Sequence, residues 1–219
     1  LNQTTATDTT SLVTFTISST EVTSDNVNLT LIASGSTVNI SEDFSWDGSS
    51  STDTDDTGNI GEVNISTVDG GTLTLNVHAD QDLVTHADTT VSDGAVTDLT
   101  GAATITINSK NADSNDIVND LVALGLDNDE TQTLVVTAED SAGLDTGNVT
   151  NAAALQSLTF SSAAGAASVM GSMITATSLD TLALSSTGSA STLTVGAIGG
   201  TGTAALQSLT ISAGGSSTT

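Results

Sequence analysis

Apolar residues recur along this chain in short runs with a spacing of two, the pattern of β-strands that bury one face. The run LQSLTF at Leu155 to Phe160 returns as LDTLAL at Leu179 to Leu184 and as LQSLTI at Leu206 to Ile211, after 24 and 27 residues. Leu134 in TQTLVV, Ile105 in TITI and Leu73 in TLTL occupy similar settings, so a single strand register recurs with steps of 32, 29, 24, 24 and 27 residues. Each unit sets an alternating strand after a polar loop, so it buries one face and needs a stacked neighbour for the rest. A second short strand follows in the later units, at Ala167 to Val169 and Leu193 to Val195, with Gly165, Gly171, Gly188, Gly196, Gly199, Gly200 and Gly202 between turns to supply corners. The pattern predicts an all-β fold, a parallel β-solenoid of β-helix type with a period of about 24–32 residues. The alternative for so Ser-, Gly- and Ala-rich a segment is a disordered linker.

Two regions depart from that regularity. Ser114 as N-cap, Asp116 in the first turn, apolar Ile117, Val118, Leu121, Val122 and Leu124, and Gly125 at C′ predict one short helix near 115–124, between the Ile105 and Leu134 strands. Residues 1–66 form a β-rich N-terminal portion. Val13, Phe15 and Ile17 alternate, as do Val27, Leu29 and Leu31; Val38 with Ile40 and Val63 with Ile65 mark two further strands. This portion is either a small sandwich or the irregular first coils of the solenoid that occupies 67–219.

Charge adds a second boundary. The 219 residues include 26 acidic groups and one basic residue, Lys110, for a formal net charge of −25. Twenty-five of the acidic residues lie between Asp8 and Asp145, and only Asp180 follows, so the solenoid is acidic to about 145 and charge-poor after it. Phosphate neutralisation needs clustered Lys or Arg, so nucleic acid is excluded as a partner. No stretch of about 18 apolar residues is present, so no membrane insertion is expected. With no Cys, the chain has no disulfides, thiolate zinc sites or thiol catalysis. The aromatics are only Phe15, Phe44, Trp46 and Phe160, while 41 Thr and 30 Ser make up roughly a third of the chain, which favours thin, regular β layers. The chain opens on Leu1 without a charged-then-apolar leader and reads as a fragment or processed product.

The candidate chemistry is that of hard cations rather than catalysis. No Gly-x-Ser-x-Gly elbow occurs, His78 and His86 have no Cys, Tyr or Arg to assist them, and one Trp is a poor sugar platform, so the chain does not read as an enzyme. Charge of this size with almost no basic partner repels itself unless cations are present. Calcium takes six to eight oxygens from carboxylates, carbonyls and amides. Asp53, Asp55, Thr57, Gly58 and Ile60 follow the first part of a calcium loop, with Asp56 as a further carboxylate between them, although Asn64 stands at its twelfth position and Glu62 falls two residues early. Further candidate ligands are Asp80, Asp82 and Asp88, then Asp127, Asp129 and Glu130, then Glu139 and Asp140. The bland alternative for each cluster is a set of solvated loop carboxylates. Five N-x-S/T sequons, at Asn2, Asn28, Asn39, Asn64 and Asn148, are what this Ser/Thr content produces by chance.

Taken together, the Thr/Ser/Ala/Gly bias, the single Lys, the absent Cys, the scattered Asp and the LxxLxL strands resemble the β-solenoid lattice-forming regions of bacterial surface-layer proteins, including the calcium-dependent, type I-secreted group. The resemblance covers about Thr72 to Ile211. It implies a secreted structural protein of the extracellular cell surface that self-assembles into a calcium-stabilised S-layer. Its partners are then its own copies and, through regions outside this segment, cell-surface polysaccharide. An extracellular adhesin or fibre segment with a β-solenoid shaft is the alternative, and a halophilic or marine envelope protein whose acidity is salt adaptation is a third.

Overall fold

The computed structural model describes residues 14–19, 27–42, 63–79, 96–111, 117–120, 123–127, 129–139, 142–146, 148–163, 167–173, 175–188, 191–198 and 206–214. These residues form an all-β, parallel β-solenoid. Its principal sheet runs β1 (Thr14–Ser19), β3 (Ser36–Glu42), β4 (Val63–Ala79), β5 (Val96–Asn111), β8 (Thr133–Ala138), β11 (Ser157–Ser162), β13 (Thr181–Thr187), β15 (Ser208–Gly214), with β2 (Val27–Ile32) also on β4. A second sheet stacks β6 (Ile117–Asp120), β9 (Ala142–Asp145), β12 (Ala167–Met170) and β14 (Thr192–Val195), and a third pairs β7 (Ala123–Gly125) with β10 (Asn148–Thr150). The chain passes from sheet to sheet and returns one strand further along, as in β8, β9, β10 and then β11. Strand neighbours are therefore consecutive coils, and every strand pairing is parallel.

The repeat register of the sequence is the register of the sheet. Leu73 faces Ile105, Ile105 faces Leu134, and Leu158, Leu182 and Leu209 follow in one row. Two residues on, Val38, Leu75, Ile107, Val136, Phe160, Leu184 and Ile211 make a second row. Alternation puts both rows inside, and from Leu73 to Phe160 they are fully buried. Leu124, Leu126, Val149, Met170 and Met173 close the core from the other sheets. Deeper into the C-terminal coils the burial fades: Leu182 is 6 % exposed, Leu209 56 % and Ile211 69 %. Stacking is what buries these side chains, and β15 is the last strand of this sheet among the described residues.

The helix expected near 115–124 is not formed. Residues Ile117–Asp120 and Ala123–Gly125 are the strands β6 and β7, paired with β9 and β10. Ile117 and Val118 belong to the β-branched class, which favours strand over helix. A parallel partner one coil later then satisfies the backbone that a helix would have satisfied locally. In the N-terminal portion, β1, β2 and β3 are parallel members of the principal sheet.

Corners depend on close backbone approach. β4 and β5 bend within their length, with register shifts between Ser66 and Thr72, and Gly70 and Gly101 take φ of 72° and 79°. A Cβ on Gly101 would run into the carbonyl oxygen of Thr67 on the neighbouring coil. Only glycine combines that φ with that approach. At a later corner, a Cβ on Gly196 would lie 2.8 Å from the carbonyl carbon of Gly171.

Candidate functional site

Of the proposed cation ligands, Asp53, Asp55, Asp56, Glu62, Asp80, Asp82, Asp88 and Asp140 lie outside the described residues. Asp127, Asp129 and Glu130 share the turn that leads into β8. Glu139 follows β8 at its far end, where its N–H donates to the Ser109 carbonyl at 2.9 Å. The six residues of β8 separate the two places, about 20 Å at ~3.3 Å per residue.

The turn gives Asp127 a defined task. Its Oδ1 accepts from the Asp129 N–H at 3.0 Å, and its Oδ2 accepts from the Gly101 N–H at 3.1 Å. Its own N–H donates to Thr131 Oγ1 at 3.2 Å, the Thr131 N–H donates back to the Asp127 carbonyl at 3.0 Å, and Thr131 Oγ1 donates to the Ala102 carbonyl at 3.0 Å. Asp127 thus closes its own turn and secures the bend at Gly101 one coil earlier. Charge-assisted acceptance from backbone amides is the stronger class of hydrogen bond. Among the described residues, no three His, Cys, Asp or Glu side chains gather as a metal group.

Thr131 stands where later coils place Leu155, Leu179 and Leu206. A hydroxyl at a buried position needs partners, and the Asp127 turn and Ala102 supply them. At the next position the coils carry Gln132, Gln156, Asp180 and Gln207, whose carbonyls link each corner to the following one: Gln132 accepts from Gln156 and Ser157, Gln156 from Asp180 and Thr181, and Asp180 from Gln207 and Ser208. Asp180 is the exception in this series. Its Oδ1 is buried and has no hydrogen-bond partner among the described residues.

The feature that the acidic clusters drew attention away from is the outer face of the principal sheet. One row is Thr72, Thr104, Thr133, Ser157, Thr181 and Ser208; a second is Thr37, Thr74, Thr106, Val135, Thr159, Ala183 and Thr210; a third is Asn39, Asn76, Asn108, Thr137, Ser161, Ser185 and Ser212. None of these residues is charged, and nearly all bear a hydroxyl or an amide. The third row bonds along itself: Asn76 Nδ2 donates to Asn39 Oδ1 at 2.8 Å, Asn108 Nδ2 to Asn76 Oδ1 at 2.9 Å, and Ser185 Oγ to Ser161 Oγ at 2.9 Å. Among the described acidic residues, Asp127, Asp129 and Glu130 lie in the turn before β8 and Glu139 follows its end, while Asp98 stands within β5, opposite Asn64 and outside these rows. The signal was legible in the sequence, since the third row lies three residues beyond each repeat position, from Leu73 to Leu209. Two sequon asparagines are engaged structurally: Asn39 as above, and Asn148, whose Oδ1 accepts from the Ser172 N–H at 3.1 Å.

Among the described residues no helix is long and apolar enough to cross a membrane. No protein-family model, curated protein or solved structure matches the chain.

Proposed function

We propose that the chain is a structural protein of the cell envelope that is secreted to the cell surface and self-assembles there into a calcium-stabilised layer. The observation that carries this reading is the segregation of charge on one solenoid. The outer rows of the principal sheet form a neutral hydroxyl and amide surface that passes through both the acidic and the charge-poor coils. Such a surface packs against a like surface without stranding a charge, whereas burial of unpaired carboxylates would be costly. The −25 then needs countercharge, and calcium is the cation whose oxygen preference this composition meets. Copies of the chain are its partners, and no reaction is assigned to it.

Electron microscopy of the purified chain tests the reading. Planar arrays are expected with millimolar calcium and their loss with chelator; particles that stay single in both conditions contradict it. An adhesin or fibre segment is the second reading, favoured by the stacking of parallel coils along one axis, and long filaments in place of planar arrays would establish it.

A further inference from the structure

We infer that the Asp69–Gly70 turn within β4 is a modification site, at which the folded chain converts its ordinary peptide link into an isoaspartyl link without an enzyme. The chain contains no Asn–Gly pair, and of its three Asp–Gly pairs only Asp69–Gly70 lies among the described residues. Closing an aspartate onto the next residue needs an accessible carboxyl group, a following residue without a side chain to obstruct its nitrogen, and backbone free enough to bring the two together.

The turn supplies all three. Asp69 and Gly70 are both exposed, unlike Asp127, whose two carboxylate oxygens are occupied by the amides of Asp129 and Gly101. Gly70 takes φ of 72°, the conformation that suits glycine at a tight turn, and a Cβ built on it would meet nothing within 4 Å. No strand pairing takes in residues 68–70. β4 pairs β2 as far as Thr67 and β3 from Leu73, and its register with β5 stops at Ser66 and resumes at Gly71. The feet of the turn are held instead. Thr67 Oγ1 donates to the Thr100 carbonyl at 3.4 Å, the Gly35 N–H to the Thr72 carbonyl at 2.8 Å, and the Thr72 N–H to Ser34 Oγ at 3.1 Å. An unpaired tip between held feet is where a backbone keeps its local freedom in an otherwise laddered strand.

The chemistry balances with water alone. The Gly70 nitrogen attacks Asp69 Cγ, and the new bond closes a five-membered imide as a carboxyl oxygen and the amide proton leave as one water. Water then returns to either imide carbonyl. Opening at Cγ restores aspartate, whereas opening at the α-carbonyl breaks its bond to nitrogen, routes the main chain through Cγ and leaves a free α-carboxylate. Net charge is unchanged. The main chain gains one carbon at the tip, close to the corner where Gly101 approaches the Thr67 carbonyl.

The test ages the full chain for weeks at neutral pH, once folded and once in denaturant. Isoaspartate at position 69 is then located by electron-transfer fragmentation of peptic peptides. The expected result is accumulation in the folded chain within about threefold of the denatured rate, raised at least tenfold by Asp69→Asn, which reaches the same imide by losing ammonia. Asp69→Glu, which would have to close a six-membered ring, should lower it at least tenfold while keeping the charge. A folded rate more than threefold below the denatured rate would show that the turn protects Asp69, and overturns the inference. Undiminished isomerisation at position 69 in Asp69→Glu overturns the imide route. Neither outcome depends on whether the chain assembles.

Discussion

The coils before Asp145 and those after it are built on one register but held in different ways. In the earlier coils the repeat steps are long, 32 residues from Leu73 to Ile105 and 29 to Leu134, and the corners rely on special chemistry. Gly101 bends against Thr67, and the Asp127 carboxylate secures that bend from the next coil. In the later coils the steps shorten to 24, 24 and 27 residues, the corners repeat nearly the same residues, and hydroxyl-to-hydroxyl bonds such as Ser185 to Ser161 run between neighbours. The difference teaches that acidity and regularity are separate properties of this solenoid. The three outer rows that run through both regions are neutral, whereas Asp98 and Lys110 of β5 carry charge elsewhere on the same sheet.

Burial gives the largest contrast to break. Phe160→Ala, at the fully buried centre, is expected to cost about 3–5 kcal/mol, while Ile211→Ala, two coils on and mostly exposed, should cost well under about 1 kcal/mol. Chemical denaturation of both variants checks this, and equal losses would mean that the C-terminal edge is covered in solution. Glycine corners come next. Gly101→Ala must place a Cβ against the Thr67 carbonyl at φ 79°, for a loss of about 2–3 kcal/mol, whereas Gly214→Ala meets nothing nearer than Thr187 Cγ2 at 4.0 Å and should stay within about 0.5 kcal/mol.

Asp127→Ala leaves the Gly101 and Asp129 amides without their acceptor, an expected loss of about 1–3 kcal/mol. Thermal melts in calcium and in chelator sharpen the assignment. The same loss in both belongs to capping, and a loss confined to calcium would make Asp127 a metal ligand. The smallest effect concerns the charge-poor coils. Asp180→Gln restores the residue found at positions 132, 156 and 207 and replaces a carboxylate with one buried oxygen left without a partner by a neutral amide, so a gain of up to about 1 kcal/mol is expected in the same melts.

How much of this could be read from the sequence follows from the range of the forces involved. The register from Leu73 to Leu209 was legible because apolar alternation and repetition are local signals, and the short strands β12 and β14 were legible for the same reason. The segment at Ile117 to Gly125 misled because its spacing fits a helix and its β-branched residues fit a strand. The decision came from β9 and β10, which lie a full coil away. The sequence marked Asp127 as a candidate cation ligand, and its bond to the Gly101 amide was not legible there because that partner stands 26 residues upstream. The neutral outer face went unremarked because it appears only when the repeats are aligned row by row.

The central claim is that this neutral face is the surface on which copies meet. Thr159→Glu places one charge in the middle of it, at a half-buried position outside the core. Electron microscopy of this variant in calcium, beside a melt matched to the unmodified chain, is the most direct measurement. The account predicts an unchanged fold with planar arrays lost; arrays that persist with the glutamate in place would contradict it.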